Sequence, residues 1–385
     1  MEGGHAVRTL FVTHHYLHGN GGGVFASRGF VNAFAKLSER LTLLCPVKDA
    51  VAPEGIAPSV RVIPVSYEKP RWRKFIDLLL GRIHRFYGVF DQVLASEQFN
   101  LVVFDTCYVS FRLIQEVRRR GCQVVTIHHN YQCEYVRDNY RFPVRLPLLF
   151  WTRICEREAV QNSDLNLTLT EADRQSLVKA YDSSGKVCIR VIGVFEYRKD
   201  AGVVPKHPLP EEPVFVATGD LSMRQTVEPF LAWMREYLPI LRGMVPGAKV
   251  IVAGKNPAQR FIRACEANGI EVVESPTDMA SILRRGRYYL CPSSEGSGIK
   301  LRVMDGLKNG MPVLTHEMSA RGYEPFVGQE VHCYSTPDSF RKAMEEMLSV
   351  PVDAGMIISH YQDAFSFEAG IARLQGILES TILKK

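Results

Sequence analysis

The sequence predicts an α/β protein built as two doubly wound domains, and three observations carry that reading. The chain has 385 residues, long for one hydrophobic core and suited to two. Short apolar runs bounded by Gly and Pro alternate with stretches of helical spacing, and this pattern restarts after a Pro-rich segment at 200–213. Residues 288–315 read strand, glycine loop, helix, strand. Hydrophobic residues make up 46% and charged residues 23%, which fits a soluble globular chain and excludes disordered or collagen-like classes.

In the first half, residues 7–13 form the expected opening strand. His14 to Gly23 follows, with Gly19, Gly21, Gly22 and Gly23, and 24–37 reads as a helix. The glycines lack the G-x-G-x-x-G spacing and its later acidic partner, so alone they fit a flexible loop as well as a ligand loop. Strands are expected at 41–45 and 60–64. Residues 71–90 place Trp72, Phe75, Ile76, Leu79, Leu80, Ile83, Phe86, Tyr87 and Phe90 on one helical stripe, with Arg71, Lys74, Arg82 and Arg85 off it. That is either a core helix with a basic edge or an interfacial amphipathic helix. A strand at 101–104 and a helix at 108–120 lead to a strand at 124–127, which ends in His128-His129-Asn130. Open α/β sheets place ligands at such strand ends, so this pair is either a sugar contact and proton acceptor or two satisfied loop histidines. Residues 140–158 read as a loop and then a helix. A strand at 164–169 precedes a helix capped by Thr170, and 187–192 is the last strand of this half.

The second half opens with a strand at 214–218. Strands at 250–253 and 270–273 and helices at 257–268 and 277–285 follow. The apolar run 288–291 is ended by Pro292. Ser293 to Gly298 is a small, flexible loop, and Ile299, Val303, Met304 and Leu307 fall at helical spacing until Gly310. A glycine loop before a helix suits a phosphate or diphosphate. Lys300 would sit in the first turn, where a nearby anion compensates the unfavourable dipole, and Asp305 could accept from ribose hydroxyls. An ordinary Gly-rich turn remains the alternative. A strand at 331–334 and helices at 338–349, from 353, and at 367–383 complete the chain.

Nine cysteines stand singly with no CxxC pair, which argues against a zinc site or a disulfide framework and for a reducing compartment. No apolar run approaches a membrane span of about 20 residues, and no leader-like segment opens the sequence, so a cytoplasmic location is expected. The net charge is +6, with 27 Lys and Arg against 20 Asp and Glu in residues 1–205. No nucleic-acid motif accompanies this basic half, which leaves an anionic membrane surface as a candidate partner on the membrane's inner face.

Residues 288–315 resemble the nucleotide-sugar loop of the retaining glycosyltransferases of family 4, whose fold is called GT-B. The matching elements are Glu295-Gly296-Ser297-Gly298, Ile299-Lys300, Asp305 and Gly310-Met311-Pro312-Val313. The family's acidic pair is usually two glutamates eight apart, whereas Glu295 and Asp305 are ten apart. The likeness extends to the first glycine cluster, to His128-His129-Asn130 with Glu134 beyond, and to Thr170-Glu171-Ala172-Asp173. It departs at Gly219-Asp220-Leu221-Ser222-Met223-Arg224. There relatives carry Gly-Arg and then a Lys that neutralise the leaving diphosphate.

The resemblance implies two Rossmann-like domains facing each other across a cleft. An acceptor domain would span 1–205 and a nucleotide-sugar domain 206–365, with a C-terminal helix at 366–385 crossing back to the first. It implies hexosyl transfer from a UDP- or GDP-sugar to a glycan, lipid-linked or protein acceptor, with retained configuration, no cofactor and no metal. His128, His129, Arg224 and Lys300 are the implied catalytic residues. Gly21, Gly22, Gly23, Lys255, Glu295, Gly296, Ser297, Gly298, Ile299 and Asp305 are the implied donor-binding residues. A sugar-nucleotide epimerase of the same fold would need acids and a histidine around the donor sugar and no acceptor. A catalytically silent binding subunit is favoured by the replaced cationic pair.

Overall fold

A computed structural model of the chain describes residues 7–19, 21–47, 53–66, 71–199, 209–382. The proposed linker at 200–213 and the segment before the first strand therefore lie largely outside the described residues. The chain divides into two compact units, Met1–Gly202 with Phe365–Lys385, and Val203–Ala364.

The first unit holds seven parallel strands: β1 (Arg8–Thr13), β2 (Arg40–Val47), β3 (Arg61–Ser66), β4 (Leu101–Asp105), β5 (Gln123–His128), β6 (Leu165–Thr168) and β7 (Ile189–Val191). Their order is β3-β2-β1-β4-β5-β6-β7. The chain reverses its direction of winding between β1 and β4, so the carboxyl ends of these strands form a topological switch point. β1, β4 and β5 are apolar and buried on both faces, as helix-covered parallel strands are. The second unit repeats the plan with β8 (Val214–Asp220), β9 (Lys249–Lys255), β10 (Glu271–Glu274), β11 (Tyr288–Cys291), β12 (Val313–His316) and β13 (Val331–Tyr334). Its order is β10-β9-β8-β11-β12-β13, with the switch between β8 and β11. This is the GT-B class of α/β fold. Among the described residues no helix is long and apolar enough to cross a membrane.

Several local readings change. The first helix runs Gly22–Leu37, so Gly22 and Gly23 form its first turn and Gly21 its N-cap. Residues 71–90 are not one helix. Arg71–Leu79 ends before Gly81, which takes φ 67° and lies against the Trp151 ring with no room for a Cβ. A second helix, Tyr87–Ser96, then buries Phe90. Residues 108–120 break likewise into Cys107–Ser110 and Ile114–Arg119, with Arg112 at φ 63° between them. Thr170 caps Glu171–Tyr181 as read, accepting from the Asp173 N–H at 3.0 Å.

The last helix, Phe367–Thr381, packs on Gly22–Leu37 within the first unit. The wedge between them is Phe195, whose ring occupies the space a Cβ on Gly370 would need and also borders Gly29. Gly370→Ala gains about 1 kcal/mol of helix propensity but overpacks the site at about 1–3 kcal/mol, so net destabilisation is expected. Gly376, in the same helix, has nothing within 4 Å of its Cβ position. Gly376→Ala should therefore stabilise by about 0.5–1 kcal/mol. Denaturant unfolding of the two variants checks both signs, and equal shifts would contradict this packing.

Candidate active site

In the second unit the chemistry gathers at the carboxyl ends of β8 and β11. After β11 the chain runs through Pro292 to Leu301 as a loop. Gly296 and Gly298 take φ 88° and 73°, a region costly for other residues. The Lys300 Nζ donates to the carbonyls of Gly296 at 3.0 Å and Ser297 at 3.2 Å, tying the loop into one shape. The Tyr323 hydroxyl donates to the Lys300 carbonyl at 2.9 Å. The helix begins only at Arg302 and ends at Lys308. Lys300 thus precedes it, because Val303 and Met304 close tight turns onto the carbonyls of Lys300 and Leu301. This short helix is a weak dipole, so charge on the loop comes from side chains.

Asp305 lies in the helix's first turn. Its Oδ2 is 3.4 Å from the Thr218 hydroxyl, which meets the Tyr289 hydroxyl at 2.6 Å. Ser297 Oγ is buried and has no hydrogen-bond partner among the described residues. Ile299 is half-buried and Glu295 exposed on the loop. Arg224, the first residue of helix Arg224–Glu236, is exposed, and Lys255 is exposed at the end of β9. The neighbour of Arg224, Gln225, reaches toward Gly296. Asp220 turns onto its own strand end, accepting from the Ser222 N–H and hydroxyl at 3.0 and 2.6 Å. The Arg302 guanidinium stands beside Gly219, near where a Gly219 Cβ would point, and donates to the Thr226 hydroxyl at 3.1 Å. The sequence offers Arg302, with Lys300, as a cation near the loop; its place beside Gly219 was not legible, and the lack of a side chain there admits the guanidinium.

In the first unit the carboxyl ends of β1, β4 and β5 assemble a buried polar cluster around Asp105. Its Oδ2 accepts from the hydroxyls of Thr13 at 2.6 Å and Ser27 at 2.5 Å, and its Oδ1 lies 2.5 Å from His129 Nε2. Ser27 Oγ also lies 2.7 Å from His15 Nδ1. The first glycine cluster explains how His15 fits, because a Cβ on Gly23 would strike its ring. Gly21 and Gly22 shape the start of the same helix. Thr106, just after β4, is held at φ 94°, a strained value for a β-branched residue, and its hydroxyl meets His14 Nδ1 at 3.1 Å. His129 belongs to this cluster. His128 does not: it is buried with Nε2 2.9 Å from the Asn166 amide oxygen, between β5 and β6. Glu134 is half-buried in the first turn of Gln132–Asn139.

Neither Asp105 nor His15 stood out in sequence. An acid closing the apolar run Leu101–Phe104 at the switch point was the available signal. Burial pushes the Asp105 carboxyl up, but the His129 charge and hydrogen bond, with His15 and the Ser27 hydroxyl, outweigh it and hold the group well below the usual carboxylate range.

Burial lowers the pKa of His84 and of His128 to about 4, and that of His15 to about 3. These rings stay neutral in the fold, while in the unfolded chain they protonate below about 6.5. The unfolded state therefore binds more protons between about pH 6.5 and 4, and stability falls as pH drops through that window. Glu156 acts oppositely. Burial raises it to about 7, so its contribution is present below about 4.5 and is lost as pH rises through 7. His14, which desolvation also lowers to about 4, makes four rings against one carboxyl, a net acid loss of several kcal/mol, roughly. Thermal unfolding should show Tm falling steadily from pH 6.5 to 4.5, and a flat profile would contradict the buried neutral rings.

Residues 212–349 match the family model described as "Glycosyl transferases group 1". The matched portion lies within the second unit. No curated protein matches the chain in sequence. Among solved structures, sucrose-phosphate synthase from Thermosynechococcus elongatus superposes with a TM-score of 0.72 at 14% identity, covering 98% of this chain and 100% of that one. The lipopolysaccharide outer core galactosyltransferase WaaB, in apo form, gives 0.67 at 12%, covering 98% and 100%. Anabaena HepE, solved with UDP and glucose, gives 0.63 at 12%, covering 97% and 100%. At these identities the likeness is one of fold.

Proposed function

We propose that the chain is a glycosyltransferase that moves a hexosyl group from a UDP- or GDP-sugar to an acceptor hydroxyl with retained anomeric configuration. One observation carries the reading. The group 1 match covers the loop 293–301, where two left-handed glycines, Lys300 and Arg302 surround a strand end at the switch point. The loop N–H groups with Lys300, Arg302 and Arg224 receive the diphosphate, Lys255 adds charge at the neighbouring strand end, and Asp305 takes the ribose hydroxyls. In the step itself the acceptor oxygen bonds to the anomeric carbon. The carbon–oxygen bond to the diphosphate breaks, its electron pair leaves with the phosphate, and a phosphate oxygen takes the acceptor proton. The protein supplies position and preorganised charge, so turnover needs neither metal nor cofactor. Glu295 and the neighbouring Ile299 border the sugar, and His129 is the candidate in the first unit to meet a sugar hydroxyl. A catalytically silent subunit that binds a partner or glycan is the second reading, motivated by Asp220 where relatives carry arginine. Arg302 beside Gly219 supplies the charge that reading finds missing. Thermal shift with UDP, GDP, uridine and guanosine tests the site: a diphosphate at 100 times its Kd adds about 2.7 kcal/mol, and a chain that no nucleotide stabilises contradicts it.

The acceptor reading turns on the surface of the first unit. Trp72, Ile76 and Leu80 are 60%, 44% and 55% exposed, and Phe142, Leu146 and Phe150 are 75%, 58% and 59% exposed. The helices Arg71–Leu79 and Arg145–Asn162 that carry most of them pack together. Arg73, Lys74, Arg82, Arg141, Arg145 and Arg153, on these helices or next to them in sequence, are all exposed. Monomer surfaces rarely leave such an apolar group uncovered, and basic residues around it fit an anionic lipid surface. A lipid-linked acceptor follows. Binding to vesicles with an anionic lipid should weaken with salt, because surface charge is screened over about 8 Å at physiological ionic strength. A Leu146→Ser, Phe150→Ser chain should bind at least about tenfold less, since each lost apolar side chain removes about 1.5–3 kcal/mol of burial. No binding at low salt would remove the lipid-linked acceptor from the account.

A further inference from the structure

The cluster at the ends of β1, β4 and β5 contains more than a candidate sugar contact. His15, Asp105 and His129 each present one ligand-type atom, and these atoms lie within 4.8 Å of one another. Each residue follows or ends a different strand, so the paired sheet fixes their spacing. Asp105 Oδ1 is 2.5 Å from His129 Nε2, and Asp105 Oδ2 is 3.8 Å from His15 Nδ1. The carboxylate Oδ2 is held by the Thr13 and Ser27 hydroxyls, and Ser27 Oγ bridges on to His15 Nδ1 at 2.7 Å, so an ion bound between His15 and Asp105 takes over that bridge. Zinc takes such ligands at about 2.0–2.2 Å, which sets neighbouring ligand atoms about 3.3–3.5 Å apart.

We propose that His15, Asp105 and His129 form a binding site for a single zinc-class divalent cation. Two imidazoles and one carboxylate are a borderline donor set. It favours zinc, cobalt or nickel over magnesium and calcium, which take oxygen ligands. The His15 side chain is 18% exposed while Asp105 is fully buried, so an ion enters from the His15 side, where a water completes the tetrahedron. The site shares His129 with the glycosyl-transfer reading, and because its test reads ion binding and needs no turnover, failure of one is distinguishable from failure of the other.

The test titrates the full chain, stripped with a chelator and dialysed, with zinc by calorimetry and with cobalt by visible absorption. One zinc per chain is expected, with cobalt giving the d–d bands of a nitrogen and oxygen site and no thiolate charge-transfer band. His15→Ala and Asp105→Asn should abolish that binding. His360→Ala, a histidine paired with Glu330 elsewhere, should leave it unchanged. Asp105→Asn preserves the buried volume and His15 lies at the cluster's edge, so circular dichroism of these two variants separates lost ligands from lost fold. Absent stoichiometric zinc in the parent chain, equal affinity in a folded His15→Ala chain, or a thiolate band would each overturn the proposal.

Discussion

Replacing Lys300 with alanine should weaken binding of a nucleoside diphosphate far more than binding of the nucleoside, and slow turnover about 10²–10³-fold. The ammonium lies on the carbonyls of Gly296 and Ser297, so it both charges the loop and fixes its shape. These roles separate by substitution. Lys300→Met keeps most of the stem without the charge, and Lys300→Arg keeps the charge in a different geometry. If charge dominates, Met resembles Ala and Arg recovers much of the diphosphate affinity. Gly296→Ala is the complementary probe. At φ 88° the new side chain is strained, and its Cβ would come within 3.0 Å of the Lys300 Nζ. It should lose diphosphate affinity with the charge still present. Equal loss of nucleoside and diphosphate binding in Lys300→Ala would place the lysine away from the phosphates.

The second large effect concerns stability. His129→Ala should destabilise the first unit by about 3–5 kcal/mol, because it strands a buried carboxylate. Asp105 is fully buried, and with His129 gone its Oδ1 loses the partner at 2.5 Å while Thr13 and Ser27 still hold Oδ2. The same substitution in an Asp105→Asn chain should cost much less, since no charge is left unpaired. The coupling from this double-mutant cycle should exceed about 1 kcal/mol, well above the few tenths seen for independent sites. Additive effects would mean that the pair is not an interacting unit in solution.

The fold was legible because both halves repeat one pattern: buried strands of four to eight residues read as apolar runs, and the second unit restarts after a Pro-rich stretch. The strand ends were legible too, through Gly296, Gly298, His129 and Asp305. Breaks in helices were not, because periodicity across 71–90 continues over Gly81 while only the Trp151 ring, distant in sequence, forces the turn. The same holds for Lys300. Helical spacing from Ile299 suggested a first-turn residue, but its ammonium binds the preceding loop and delays the helix to Arg302. Asp105 and His15 were silent for a common reason, while Arg302 was legible only as a cation near the loop. Each gains its place from a partner on another element, and nothing local marks that partner. Glycines were the indirect record of those partners: Gly23 makes room for His15 and Gly219 for Arg302.

The central claim is sugar transfer by charge held on the protein, and its most direct measurement is turnover of UDP- and GDP-sugars with excess EDTA present, with and without a lipid-linked acceptor extract. The account predicts nucleotide release that depends on the acceptor, is undiminished by EDTA, and gives an α-linked product from an α-linked donor. Release without acceptor would indicate an epimerase or hydrolase. A rate that collapses with EDTA and returns with Mg²⁺ or Mn²⁺, or a product of inverted configuration, would contradict the account.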